Sequence, residues 1–541
     1  MSDRSFNTEC GKSGMGRTAF FCLISILFLV ISYTPYHHWD EIYYIYTLSQ
    51  HSLTELLTKE NELSAGLFPK GFFSSKIGSM FIIWQLVQIL GTGWLSLYVI
   101  QFVFALFLIG FFLSSYKFYR ELTNPMDSDD SEWALTTSMI SLFLPVTLYL
   151  GFKTLTEVPA LFLSTFGSWM FLKSVRETDP RKISIQLFFA LIGIALGTVC
   201  RLIFILSFLG LLFSYAIVYR KSVPIKKIIC RASIVLAGFL VLFVPFAFHI
   251  SGHLVDAAGP LKDVIELKKE GPGVKIYVFV MFFQCFAFLL PFSLCRPWNR
   301  PLKMSFLWIC FFVAPLFIVA KNLEPRYFSF GLLPVGIIAH QGLRNFAGLF
   351  PGHRKKIFLF SLVLMILLNR ILFTPISLYE IDQKQFKRIV SDVFKHEPQS
   401  TLILPWVTDY CFLKFVYPDK TIRSAITRLP GTQEDNLFVK TGAFQWWIGK
   451  NNHISSHEEL LIQSKPWIFI GRPLSPAREK LYSYLELLGL NRFMQRSGEH
   501  HPLASSWIWD HAALKLDLYR KQGPYNAYRI DQTMTIPDTG E

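Results

Sequence analysis

The stretch IGSMFIIWQLVQIL, residues 77–90, decides how the rest of the chain is read. It is apolar enough for lipid, yet its 14 residues fall short of the ~20 that a helix needs to cross a ~30 Å hydrocarbon core. Read as an interfacial or re-entrant helix, it leaves the chain on the side it came from. Read as a span, it exchanges the side of every later loop. Longer apolar runs lie near 18–35, 94–116, 134–151, 158–175, 183–200, 202–219, 232–250, 276–294, 304–320, 327–343 and 357–375, about eleven spans in all.

The basic residues choose between the two readings. With 77–90 left out and the N-terminus inside, the cytoplasmic loops hold Lys117/Arg120, Lys173/Arg176/Arg181/Lys182, Arg220/Lys221/Lys226/Lys227/Arg231, Arg296/Arg300/Lys303 and Arg344/Arg354/Lys355/Lys356. With Arg4, Lys12 and Arg17 these make 21 cations inside, against 12 on the opposite side of residues 1–375. Counting 77–90 as a span puts most basic loops outside, against the positive-inside rule. The first run, AFFCLISILFLVISY, has no small-residue cleavage site and reads as a retained span.

Composition agrees with a membrane protein. The 541 residues are 52% hydrophobic and 17% charged, which excludes an ordinary soluble globular chain, and lipid accommodates the 53 phenylalanines as surface. Residues 376–541 contain 20 basic and 18 acidic residues, so most of the net charge of +15 lies in the membrane part. There it meets anionic headgroups, and no basic stripe points to nucleic acid. The eight cysteines are scattered without CxxC spacing, which argues against a disulfide framework or a zinc site. The tail mixes TLILPWV and PWIFIG with a helical pattern in SPAREKLYSYLELLGL. The expected fold is a polytopic α-helical membrane domain over 1–375, with a first exoplasmic loop at 36–93, and a soluble exoplasmic α/β domain over 376–541.

This topology gathers a short set of polar residues on the outer face. Asp40 and Glu41 stand in YTPYHHWDEIYYIYTL, with Lys70 and Lys76 later in the same loop. Lys153, Thr156 and Glu157 fall in GFKTLTEVPA, Arg201 in TVCRLIF, and Lys321 and Arg326 in VAKNLEPRYFSFGLLP. A carboxylate just above the bilayer can serve as a general base toward an acceptor hydroxyl or amine. Lys and Arg at the same depth can hold a phosphate, Arg in bidentate fashion. Trp39, Tyr43 and Tyr44 form an aromatic collar that anchors at the headgroups or offers ring faces to a sugar or isoprenoid. Taken singly, each has a plain structural explanation: an interfacial belt, a solvated acid or a snorkelling cation. Their order and common side are the stronger signal.

A basic start, one span, DEIYY in a long outer loop, a Lys and a short helix ending in ILG, TEVP opening the fourth span and a late PRY follow one another here. This order resembles the C-type (GT-C) integral-membrane glycosyltransferases, in the branch of the protein O-mannosyltransferases and the lipid A aminoarabinose transferases. The likeness covers roughly residues 1–175 and 315–335. It implies transfer of a sugar, with inversion, from a polyprenyl-phosphate donor to a lipid, protein or polysaccharide acceptor on the exoplasmic face. It further implies Asp40 as general base, Glu41 as its partner and Glu157 as the second acid, where Asp is more usual. Lys70 or Lys76 would meet the donor phosphate, with Arg201, Lys321, Arg326 and Tyr327 as further contacts. The familiar Lys-Pro-Pro is replaced by FPKGFF. A divalent metal is used by some members, although Asp40 and Glu41 alone leave an oxygen shell incomplete. The rival readings are an oligosaccharide ligase or other lipid-linked group transferase, a transporter or flippase, and a membrane-anchored scaffold. A transporter would favour internal repeats and midplane charges, neither of which the sequence offers. A scaffold leaves the one-sided charges unexplained. A bacterial inner membrane with the tail in the periplasm is the expected location, for want of a retention signal or long luminal insertion.

Overall fold

The computed structural model describes chiefly residues 10–33, 36–37, 39–58, 76–123, 128–257, 290–294, 299–319, 325–353, 356–364, 381–396, 401–404, 407–420, 422–424, 467–471, 516–522 and 525–530. Lys70 and Lys321 lie outside the described residues, as do most of the spans read at 276–294 and 357–375.

The chain begins with α1 (Cys10–Ser32), the short β1 (Tyr36–His37), α2 (Trp39–Gln50) and α3 (Leu53–Thr58). Then come α4 (Ile77–Leu90), α5 (Trp94–Leu122), α6 (Ser128–Phe143), α7 (Pro145–Leu150), α8 (Glu157–Arg176), α9 (Pro180–Cys200), α10 (Phe204–Tyr219) and α11 (Ile225–Ala257). Beyond them lie α12 (Leu290–Leu294), α13 (Arg300–Val319), a 3-10 segment Pro325–Gly331 and α14 (Leu332–Gly348). The tail supplies β2 (Ile381–Asp382), α15 (Gln383–His396), β3 (Thr401–Leu404), α16 (Val407–Val416), β4 (Ile422–Ser424), β5 (Trp467–Gly471), β6 (Leu516–Gln522) and β7 (Tyr525–Ile530).

The short apolar run folds as expected: α4 has the bounds 77–90 and stops at two glycines. Gly91 takes φ +70° and its N–H donates to Val87 O at 2.8 Å, a left-handed cap that a Cβ would strain. Among the described residues, α5, α8 and α9 are long and apolar enough to cross a membrane. The run at 134–151 is not one continuous span. It breaks at Leu144, because Pro145 has no N–H to continue α6 and instead opens the buried α7. The run at 327–343 likewise begins as a 3-10 turn and becomes an α-helix only at Leu332.

The residues group into two compact units. The first comprises residues 1–34, 73–82 and 99–378. Its closest helix pair is α8 with α9, which meet through small side chains. A Cβ on Gly193 would stand 2.8 Å from the Cα of Gly167, and one on Gly167 would stand 2.8 Å from Ile194 N. Gly197 faces Ser164 across the same seam. In lipid, where apolar surface alone does not drive helices together, such close backbone approach supplies the packing.

The second unit comprises residues 35–72, 83–98 and 379–541. Its sheet runs β4-β3-β5-β7-β6, with β4, β3 and β5 parallel and the last two strands antiparallel. Leu402 pairs with both Ile422 and Ile468, and a bulge interrupts β6 between Leu518 and Arg520. α2 belongs to this unit and packs against α16. Ile42, Tyr43, Tyr44, Ile45 and Leu48 are buried with Cys411, Phe412 and Leu413. β1 pairs antiparallel with β2, Tyr36 opposite Asp382. Trp94 meets Phe412 edge-on at 5.2 Å, and the Lys387 ammonium lies 4.6 Å from the Trp94 ring centre.

Candidate active site

In the first unit the site grows from the start of α8. Glu157 occupies the first helical position, where the unpaired N–H groups and the helix dipole favour a carboxylate. Pro159 is tolerated two residues later because the first turn needs no N–H donor. Thr156 caps the helix and its Oγ1 donates to Glu157 Oε2 at 3.2 Å. The preceding loop carries Phe152 at φ +51°, a left-handed conformation that costs an aromatic residue ~1–3 kcal/mol and clusters at functional sites. Tyr33 holds the Phe152 ring edge-on at 5.4 Å.

Two arginines converge on this carboxylate from other elements. Arg201 ends α9 in extended backbone, and its Nη2 lies 3.3 Å from Glu157 Oε1. Arg326 sits in the 3-10 segment with Nε 3.8 Å from the same oxygen. The side chains of Glu157 and Arg326 are 1% and 4% exposed, whereas that of Arg201 is 16% exposed. The 3-10 segment is fixed by Ser207, whose Oγ donates to Phe330 O at 2.8 Å. Just beyond it, Tyr119 OH donates to Leu333 O at 2.9 Å.

The start of α4 closes the cluster. Ser79 Oγ lies 3.2 Å from Thr156 O and 3.3 Å from Cys200 O, so one hydroxyl hydrogen is shared between the ends of α8 and α9. A Cβ on Gly78 would stand 3.0 Å from Cys200 Sγ, which shows how closely α4 approaches. This contact brings in Lys76, buried at 5% exposure two residues earlier. Lys153 is buried as well, its ammonium 3.8 Å from the Tyr149 ring centre.

Of the residues singled out in the sequence, the structure therefore joins Glu157, Arg201 and Arg326 directly, with Lys76 at the adjoining helix start. Asp40 and Trp39 have their backbone in the first turn of α2, and Tyr327 has its backbone beside Arg326. Glu41 is fully buried within the second unit. Tyr43 and Tyr44 are not an open collar: at 3% and 0% exposure they are core residues of that unit. Burial raises the Tyr43 phenol above its ordinary range. Ser79, which ties the site together, was not singled out, since a lone serine in an apolar run carries no polar pattern. Among the described residues, no group of three or more His, Cys, Asp or Glu side chains is placed to hold a metal.

No protein-family model matches the chain, and no curated protein matches it by sequence. Solved structures do. The chain is similar to ArnT, an aminoarabinose transferase from Cupriavidus metallidurans, bound to undecaprenyl phosphate, with TM-score 0.52 and 11% identity over 96% of this chain and 99% of that one. The apo state of the same protein gives 0.51 and 12%, over 96% and 98%. The archaeal oligosaccharyltransferase AglB from Archaeoglobus fulgidus, in complex with an inhibitory peptide and a dolichol-phosphate, gives 0.45 and 11%, covering 96% of this chain and 75% of that one. These neighbours are GT-C glycosyltransferases, and the fold of this chain is the one ArnT has.

Proposed function

We propose that this protein is an integral-membrane glycosyltransferase that moves a sugar from a polyprenyl-phosphate donor to an acceptor on the exoplasmic face. The observation that carries the reading is the buried Glu157–Arg201–Arg326 cluster at the start of α8. A guanidinium has five N–H donors, so an arginine can meet Glu157 and a phosphate at once. Arg201, the more exposed of the two, would take the donor phosphate. Arg326 and Glu157 would hold it in orientation, and Lys76 would add charge at the same end. In support, a protein of this fold binds undecaprenyl phosphate.

In this reading Asp40 is the general base. It removes the acceptor proton as the acceptor attacks the anomeric carbon, and the lipid phosphate leaves from the opposite face with inversion. Glu41 acts through Asp40. The sidedness of DEIYY and its place after the first span support these roles. The acceptor is a lipid, protein or polysaccharide, and the membrane is a bacterial inner membrane with the tail in the periplasm. The test is sugar transfer by purified protein from a radiolabelled polyprenyl-phosphate donor. We expect loss of transfer in Arg201→Ala with the protein still folded, and unchanged transfer in that variant would overturn the reading.

A further inference from the structure

At the far end of the same helices lies a second site. α8 starts at Glu157 and ends at Arg176, and its 20 residues span about 30 Å, the depth of a hydrocarbon core. Around Arg176 opens a cavity of about 750 Å³. Its wall draws on all five of the loops that the basic pattern places inside, through Thr123, Arg176, Lys227, Arg300 and Arg344 among others, with Tyr219 between them. Four of these are cations, and among the described residues no carboxylate lines the cavity.

The wall is cross-braced. Arg176 Nη1 donates to Thr123 O at 2.8 Å, and Tyr219 OH donates to Leu122 O at 3.2 Å. Lys227 Nζ and Arg231 Nη2 both donate to Glu177 O at 3.2 Å, and Asn299 Nδ2 donates to Gln341 Oε1 at 3.1 Å. The nearby acids are engaged elsewhere or outnumbered. The Glu177 carboxylate accepts from the N–H groups of Thr178 and Asp179, which holds it below the usual carboxylate range. Burial raises the Glu121 carboxyl above its usual range, against the pull of Arg176, Lys173, Arg120 and Lys117. Partial burial and the neighbouring Arg231 push the Lys227 ammonium below its ordinary value. Like charges held together by backbone carbonyls, around a space of this size, are the chemistry of an anion site.

We propose that this cavity binds the phosphate group of a phosphate ester at the cytoplasmic end of the protein, opposite the Glu157 site and independent of the reaction there. The ester is either the headgroup of an anionic phospholipid or a soluble metabolite, and the binding chemistry is shared.

The experiment uses the full-length protein purified in detergent without phosphate. Thermal unfolding is followed with inorganic phosphate against chloride at matched ionic strength, and native mass spectrometry compares phosphatidylglycerol with phosphatidylcholine. The variant Arg300→Gln/Arg344→Gln changes the two exposed cations of the wall, and Lys182→Gln/Lys221→Gln removes two exposed cations of the same loops that do not line it. We expect wild type to bind phosphate, phosphatidylglycerol or both, and the wall variant to bind on the order of tenfold more weakly. The control variant should bind like wild type. Phosphate alone identifies a soluble ester and phosphatidylglycerol alone a lipid. Failure of both to bind above their controls, full binding by the wall variant, or equal loss in the two variants would overturn the proposal.

Discussion

Arg201 and Arg326 both approach one oxygen of Glu157, so each single change at this point has a different expected outcome. Glu157→Ala removes the carboxylate between two cations and should cost about 3–5 kcal/mol, read as a lowered Tm in detergent. Arg201→Lys keeps the charge but loses the fork, and under the proposed function should weaken polyprenyl-phosphate binding about tenfold or more while leaving Tm near that of wild type. Asp40→Asn should insert and fold normally yet transfer sugar at least ~100-fold more slowly, since a general base contributes about that much. Glu157, Arg201 and Arg326 were singled out in the sequence one by one, because charges are rare in such a chain and sidedness sorted them, but their meeting at one oxygen was not legible there. Tyr43 and Tyr44 were misread for the opposite reason: a phenol suits an interface, a sugar platform or a core equally well, and only burial decides.

At the scale of elements, length and glycine placement carried the most information. α4 matched its run because Gly91 ends it within a residue of the apolar pattern. The break at Pro145 was not legible from hydropathy, which is blind to a missing N–H and averages across it. The α8–α9 seam rests on the GIALG spacing of Gly193 and Gly197 against Gly167 and Ser164. Gly193→Leu places its Cβ against backbone atoms that cannot yield. It should cost ~1–3 kcal/mol or more, seen as a lower Tm and reduced recovery of folded protein, whereas Leu196→Ala on an exposed helix face should change little.

For the whole molecule, loops that the basic pattern groups on one side meet at one end of α8. Loops assigned inside line one cavity, and Glu157, Arg201 and Arg326, assigned outside, meet at the other end of α8. A fluorescent reporter on the N-terminus should therefore light up, and alkaline phosphatase fused after residue 541 should be active. The reverse pattern would reject the assigned topology. What the sequence did not disclose is that residues 35–72 and 83–98 share a unit with the tail, because pairing across more than 300 residues leaves no local pattern. That union has a consequence for biosynthesis. α2, which bears Asp40, finds its partner α16 only after every intervening span has been made, so contact order is high and assembly late. A nascent chain still being inserted carries α2 without the helix it packs against, so the second unit closes only when almost the whole chain has been made.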